Sequence, residues 1–138
     1  MPLTPSPQLE SVLVRAATVE VVGSAPSSTA LLADFEQTGG HLSANRTALG
    51  PGQDGPPPHY HSTSAELFFM ISGALRVLAG DRVEVLIVFT PGIERFEYFR
   101  MVERIQNGQA SPRDILITSE RFDNHFTTSP LWPSKLVN

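Results

Sequence analysis

Glycine and proline fall so often between Val12 and Phe89 that only short extended segments fit between them, and this punctuation constrains the fold more than any other feature. The first segment, Val12–Val22, is rich in valine. Thr29–Phe35 follows the Gly23–Ser28 loop, and His41–Leu49 follows Gly39-Gly40. Glu66–Ile71 and Ala74–Leu78 read as a hairpin through Ser72-Gly73, and Arg82–Phe89 comes after an Ala79-Gly80-Asp81 turn. Between the third and fourth segments lies a loop, Gly50–Pro58, with four prolines and three glycines; it delivers the chain into His59-Tyr60-His61. Many short strands separated by such turns predict a mainly-β sandwich or barrel.

The last third changes period. Ile93, Phe96, Phe99, Val102 and Ile105 recur at helical spacing from a start at Thr90-Pro91-Gly92 to Asn107-Gly108. Ser111-Pro112-Arg113-Asp114 then supplies an N-cap, a proline at the first helical position and an acidic third residue, with Ile115, Leu116 and Phe122 behind it. Two C-terminal helices are expected, bracing the sheet. At 138 residues and 41% hydrophobic, the chain supports one core. Residues 1–10, with Pro2, Pro5 and Pro7, read as a flexible arm before a single domain over 11–138. Within that domain the barrel is expected at about 11–89 and the helical segment at about 91–126.

Composition excludes several functions. The formal charge is -4 and no run of lysine or arginine occurs, so a nucleic-acid footprint is absent. No apolar stretch suits a membrane span and no signal-like leader is read, which makes the cytoplasm the expected location. With no cysteine, thiolate catalysis and thiolate metal ligands are unavailable. Any metal must be held by imidazole and oxygen.

His59 and His61, one residue apart in an extended segment, project from one face and can grip one ion. Glu66 has the wrong parity on an unbroken strand. Ser62-Thr63-Ser64 supplies a bend that can return its carboxylate to the histidines. Two imidazoles and a carboxylate form a facial triad suited to a divalent, iron-like ion with open positions. Phe68 and Met70 share the parity of Glu66, so they are expected to line an apolar pocket beside the ion. His41 reads as a surface or turn histidine, and His125 as a helix-end histidine that joins the ligands only if the C-terminal segment folds across the barrel mouth.

These residues resemble the first cupin motif. In that pattern two histidines one residue apart precede a glutamate and then a glycine, as His59, His61, Glu66 and Gly73 do here; its leading glycine falls on Gln53, flanked by Gly52 and Gly55. The stretches Asn45–Gly52, Glu66–Phe69 and Phe89–Phe96 also resemble small bacterial cupins, and the resemblance runs from about Gly39 to Phe126. It implies a small jelly-roll barrel. The second cupin motif, whose histidine is the fourth ligand, has no counterpart, since no histidine lies between His61 and His125. Either Gly80-Asp81 and Thr90–Phe96 are its degenerate form, with Arg95 at the ligand position, or the hairpin that carries it has been lost between about Val83 and Leu86. The helical period from Ile93 onward favours the loss. Arginine has no lone pair to give a metal, so Arg95 cannot replace the ligand, and a substrate-side role stays open to it.

The resemblance implies a divalent ion (Fe, Mn, Ni or Zn) on three protein ligands, held weakly for want of the fourth. It also implies a small organic substrate and a dioxygenase-like or isomerase-like reaction. The alternative is a non-catalytic small-ligand-binding module with a vestigial metal site. No catalytic residue beyond the ligands can be assigned. Missing strands would leave sheet edges for a partner, so a homodimer is expected, with contacts from Val12–Val22.

Overall fold

The computed structural model describes residues 11–73 and 83–127. Among the described residues, seven strands, three short α-helices and a 3-10 turn at Phe35–Thr38 make a mainly-β fold, as the turn punctuation predicts. The main sheet is antiparallel, in the order β1 (Val21–Ser24), β2 (Ser27–Ala33), β3 (Ser43–Leu49), β6 (Val83–Thr90), β5 (Ala65–Ser72). A second, two-stranded sheet pairs β4 (His59–Tyr60) with β7 (His125–Phe126). The predicted strand Ala74–Leu78 lies outside the described residues. Strand β6 runs unbroken through Val83–Leu86, pairing with β3 on one side and β5 on the other.

Two expected elements differ. Of Val12–Val22 only Val21 and Val22 enter a strand. Upstream, the amides of Thr18 and Val19 both donate to the Arg15 carbonyl, closing a turn at Ala16-Ala17-Thr18 that a valine count does not reveal. The first helix, α1, spans Phe96–Gln106 and does not begin at Pro91. Residues 92–95 are sewn to β3 and to the segment before it, residues 34–42, before the helix can start. Gly92 donates to the Gly40 carbonyl, and a Cβ at Gly92 would sit 2.7 Å from the Leu42 backbone. The buried Ser43 hydroxyl donates to the Ile93 carbonyl and accepts from its amide, and the Arg95 amide donates to Asp34 Oδ1. Those backbone groups are satisfied by Gly40, Ser43 and Asp34, so helical bonding begins only afterwards.

The predicted second helix forms at Pro112–Ile117 (α2), with Ser111 and Asp114 in a reciprocal capping box. It stops at Thr118, and a separate turn, α3 (Ser119–Phe122), follows. Here Phe122, Tyr98 and Ile115 form a buried cluster, packed by Phe99, Met101, Val102, Ile105 and Phe126. Helix α1 lies against β1, where Glu103 accepts from the Gly23 amide at 2.7 Å and Arg100 forks onto Glu20. At the other end of the sheet, β5 pairs only with β6 among the described residues.

Candidate metal centre

The three residues singled out for metal ligation come together, one donor atom from each lying within 4.8 Å of the others. No other such group occurs among the described residues. His59 opens β4 and His61 follows directly after it, their rings edge-on with centroids 5.1 Å apart. Glu66 comes from β5, on the face it shares with its pairing partner Phe89, whose ring stands 5.0 Å from that of His61.

Hydrogen bonding chooses the tautomers. His59 Nδ1 lies 2.8 Å from the Pro57 carbonyl, and His61 Nδ1 faces the Asp123 carbonyl. A carbonyl oxygen can only accept, so both Nδ1 atoms carry hydrogen and both lone pairs are left at Nε2. Metal-bound histidines are held in this way, with the remote nitrogen donating to a backbone carbonyl or carboxylate. His61 Nε2 is buried and has no hydrogen-bond partner. Its nearest acidic neighbour, Glu66 Oε2, is 3.4 Å away. A protonated imidazole would draw a carboxylate to about 2.7–2.9 Å. Two donors about 2.1 Å from a common ion at a tetrahedral angle stand about 3.4 Å apart. The orphaned nitrogen and the spacing both fit a divalent cation.

Burial pushes the His59 imidazole below the usual histidine range, against the opposing pull of the Pro57 carbonyl and the Glu66 carboxylate. Its lone pair is therefore free at neutral pH, as ligation requires.

The bend at Ser62-Thr63 that returns Glu66 to the histidines is fastened by a residue that sequence reasoning missed. Asp123 Oδ1 accepts from the Ser62 amide at 2.8 Å and from its hydroxyl; Oδ2 accepts from the Thr63 amide at 2.8 Å and its hydroxyl at 2.7 Å. Burial would raise this carboxyl, but the bonds from Ser62 and Thr63 outweigh it and hold Asp123 well below the usual carboxylate range. No local signal marked it, because its partners lie 60 and 61 residues away.

The remaining candidates fall elsewhere. His125 lies on β7, not at a helix end. It pairs with Tyr60, so its ring stacks at 5.0 Å on Tyr60, on the face opposite His59 and His61, with Nε2 3.1 Å from Asp123 Oδ1. The C-terminal segment does cross the histidine strand, yet the alternation of β7 turns His125 away from the triad. His41 is exposed at a bend, as expected. Arg95 is 2% exposed, its guanidinium sandwiched between the rings of Phe89 (4.9 Å) and Tyr98 (4.6 Å), with Nη2 donating to the Phe122 carbonyl. Burial pushes it down to about 10, opposed by the Tyr98 hydroxyl and by Glu66, Asp123 and Asp34, so it stays cationic at neutral pH. Phe68 and Met70 share the Glu66 face of β5, but Phe68 is 52% exposed, so the wall beside the triad is open to solvent.

His59 and Asp123 both bind fewer protons in the folded chain than in the unfolded one, so each makes stability fall as pH falls. The His59 contribution is lost as pH drops below its unfolded value of about 6.5, the Asp123 contribution below about 3.9. Urea midpoints of the metal-free protein should therefore fall in two acid steps, and His59→Gln should abolish the upper one. An upper step that survives the substitution would show that another group causes it.

Fold and site together describe a mainly-β protein with a candidate two-histidine, one-glutamate metal centre. Comparison of the chain with protein-family models, with curated proteins and with solved structures gives no match.

Proposed function

We propose that this chain is a cupin-type metal-binding protein that acts on a small organic molecule at His59, His61 and Glu66. The observation that carries the reading is the pair of Nδ1-to-carbonyl bonds, which leave two imidazole lone pairs beside a carboxylate. Iron, manganese, nickel or zinc suits that donor set, and when bound such an ion supplies Lewis-acid or redox chemistry to a chelating substrate. The protein's own part is orientation. Pro57 and Asp123 fix the rings, the Ser62-Thr63 bend presents Glu66, and Phe68 and Met70 offer an apolar wall to the substrate's carbon frame. The reaction class is dioxygenase-like or isomerase-like.

The exposure of Phe68 favours a second reading, a non-catalytic module that binds a small ligand at the ion, because chemistry at a metal usually excludes water. Elemental analysis of the purified protein, with oxygen uptake measured on enol and catechol compounds, separates the two. About one redox-active ion per chain with uptake is the result expected of the enzyme. Metal with neither uptake nor isomerised product decides for the module, and failure to bind any divalent ion overturns both.

The open wall also supports a homodimer. Strand β5 exposes Phe68 on one face and Leu67, Phe69 and Ile71 on the other, beside an edge with no partner among the described residues. Val12, Leu13 and Val14 are an exposed apolar segment outside any strand, of the kind that could add to that edge from a second copy. Light scattering at micromolar concentration should give twice the mass of 15.0 kDa, and Phe69→Glu should give the monomer. A monomeric parent protein defeats the proposal.

A further inference from the structure

The two histidines are fixed by unequal means. The carbonyl that holds His59 belongs to Pro57, two residues away, whereas the one that holds His61 belongs to Asp123, 62 residues further along the chain. The same distant residue closes the bend that carries Glu66, with four hydrogen bonds from Ser62 and Thr63. Two of the three donors thus depend on a strap that is not part of their own strand.

We propose that Asp123 is the positioning residue of the metal centre, so that docking of the Phe122–Phe126 strap and binding of a divalent cation are thermodynamically linked. The inference rests on the metal reading above and adds to it the device that assembles the site.

Asp123 reaches both targets because its backbone is left-handed, with φ of 47°. That conformation is tolerated by aspartate, and here the carbonyl meets His61 while the carboxylate meets the bend. Neighbouring contacts seat the strap. Arg95 donates to the Phe122 carbonyl, Asn124 Nδ2 donates to the Tyr98 hydroxyl at 3.1 Å, and β7 pairs with β4. The Thr127 amide then reaches the Pro58 carbonyl at 2.8 Å, next to the residue that holds His59. If the strap lifts, His61 loses the acceptor that keeps hydrogen on Nδ1, and Glu66 loses the fastened bend. Linkage is reciprocal: whatever the strap contributes to ion affinity, the ion returns as strap stability.

The test uses the full chain, with Zn2+ alone as the probe. In the parent protein Zn2+ should slow hydrogen exchange at the Ser62, Thr63 and Thr127 amides, relative to amides within α1. Asp123→Gly keeps the left-handed turn and the main-chain carbonyl but removes the carboxylate. It should weaken Zn2+ binding by about 10- to 100-fold, the usual cost of losing an outer-shell partner. Without the carboxylate's bonds to Ser62 and Thr63 the strap, and the carbonyl on it, should part from His61, so the nitrogen-15 spectrum without metal should show His61 leaving the Nδ1-protonated tautomer. Asp123→Asn, which retains one accepting oxygen, should fall between the two. Parent-like affinity in Asp123→Gly with the His61 tautomer unchanged overturns the linkage. So does the absence of any Zn2+-dependent protection in the parent, a readout that needs no variant to fold. A parent protein that binds no Zn2+ overturns the metal reading itself, which distinguishes the two failures.

Discussion

His61→Ala is expected to lower divalent-metal affinity by at least about 100-fold, because it removes a ligand itself and losing only an outer-shell partner already costs about 10- to 100-fold. The lost nitrogen is the buried, unpartnered Nε2 that faces Glu66 at 3.4 Å. Calorimetric titration with Zn2+ measures the change directly. Thermal unfolding gives an independent reading: at a free ion concentration 100 times the dissociation constant, a site confined to the folded state adds about 2.7 kcal/mol. In a chain of this length that raises the parent's midpoint by roughly 8 °C. At that ion concentration the variant's midpoint should rise by no more than about 1 °C, since half-saturation adds only about 0.4 kcal/mol. Without metal it should also start lower, since the Asp123 carbonyl loses its donor in a buried place, at a cost of about 1–3 kcal/mol. His59→Ala should reduce the ion response equally. A Zn2+-induced shift in His61→Ala equal to the parent's would show that the ion, if bound, is held elsewhere.

Phe122→Ala should be the most destabilising single change in the helical layer, at about 3–5 kcal/mol. Its ring is 1% exposed and meets Tyr98 edge-on at 5.6 Å, within the cluster completed by Ile115. Alanine there leaves a cavity between three helices and the sheet. The substitution also acts on the site, because the Phe122 carbonyl is the acceptor for Arg95 and the next residue is Asp123. Urea unfolding should show the midpoint falling, with metal affinity weakened alongside it. A loss under about 1 kcal/mol would mean that the core is centred elsewhere. Affinity unchanged despite the full loss of stability would show that the strap holds its place without this anchor.

Much of the site was legible because its ligands are close in sequence. His59, His61 and Glu66 fall within eight residues, and strand parity plus one bend is enough to place all three on one ion. What holds them was not legible. The Pro57 and Asp123 contributions to the rings are main-chain carbonyls, and any residue type carries one. Asp123 does its second task with its side chain, but its partners are 60 and 61 residues away. The distant histidine, His125, read as a helix-end residue, a ligand only if the C-terminal segment crossed the histidines. Only its pairing with Tyr60 shows that it faces away.

The same division applies to the fold. The turns at Gly39-Gly40 and Gly50–Pro58, the capping box at Ser111 and Asp114, and the short apolar run of β5 are local, so chain punctuation and residue type are enough to read them. Tertiary contact decided where neighbours compete for the backbone. Ile93 belongs to the helical period of α1, yet Ser43 and Gly40 take the hydrogen bonds of residues 92–93 and delay the helix to Phe96. The valines of Val12–Val22 carry strand propensity, yet a strand needs a partner, and β2 reaches only Val21 and Val22 among them. Local chemistry determined which segments can be strand, helix or ligand. Which of them obtained a partner for its backbone, and which way each histidine faces, depended on residues tens of positions away.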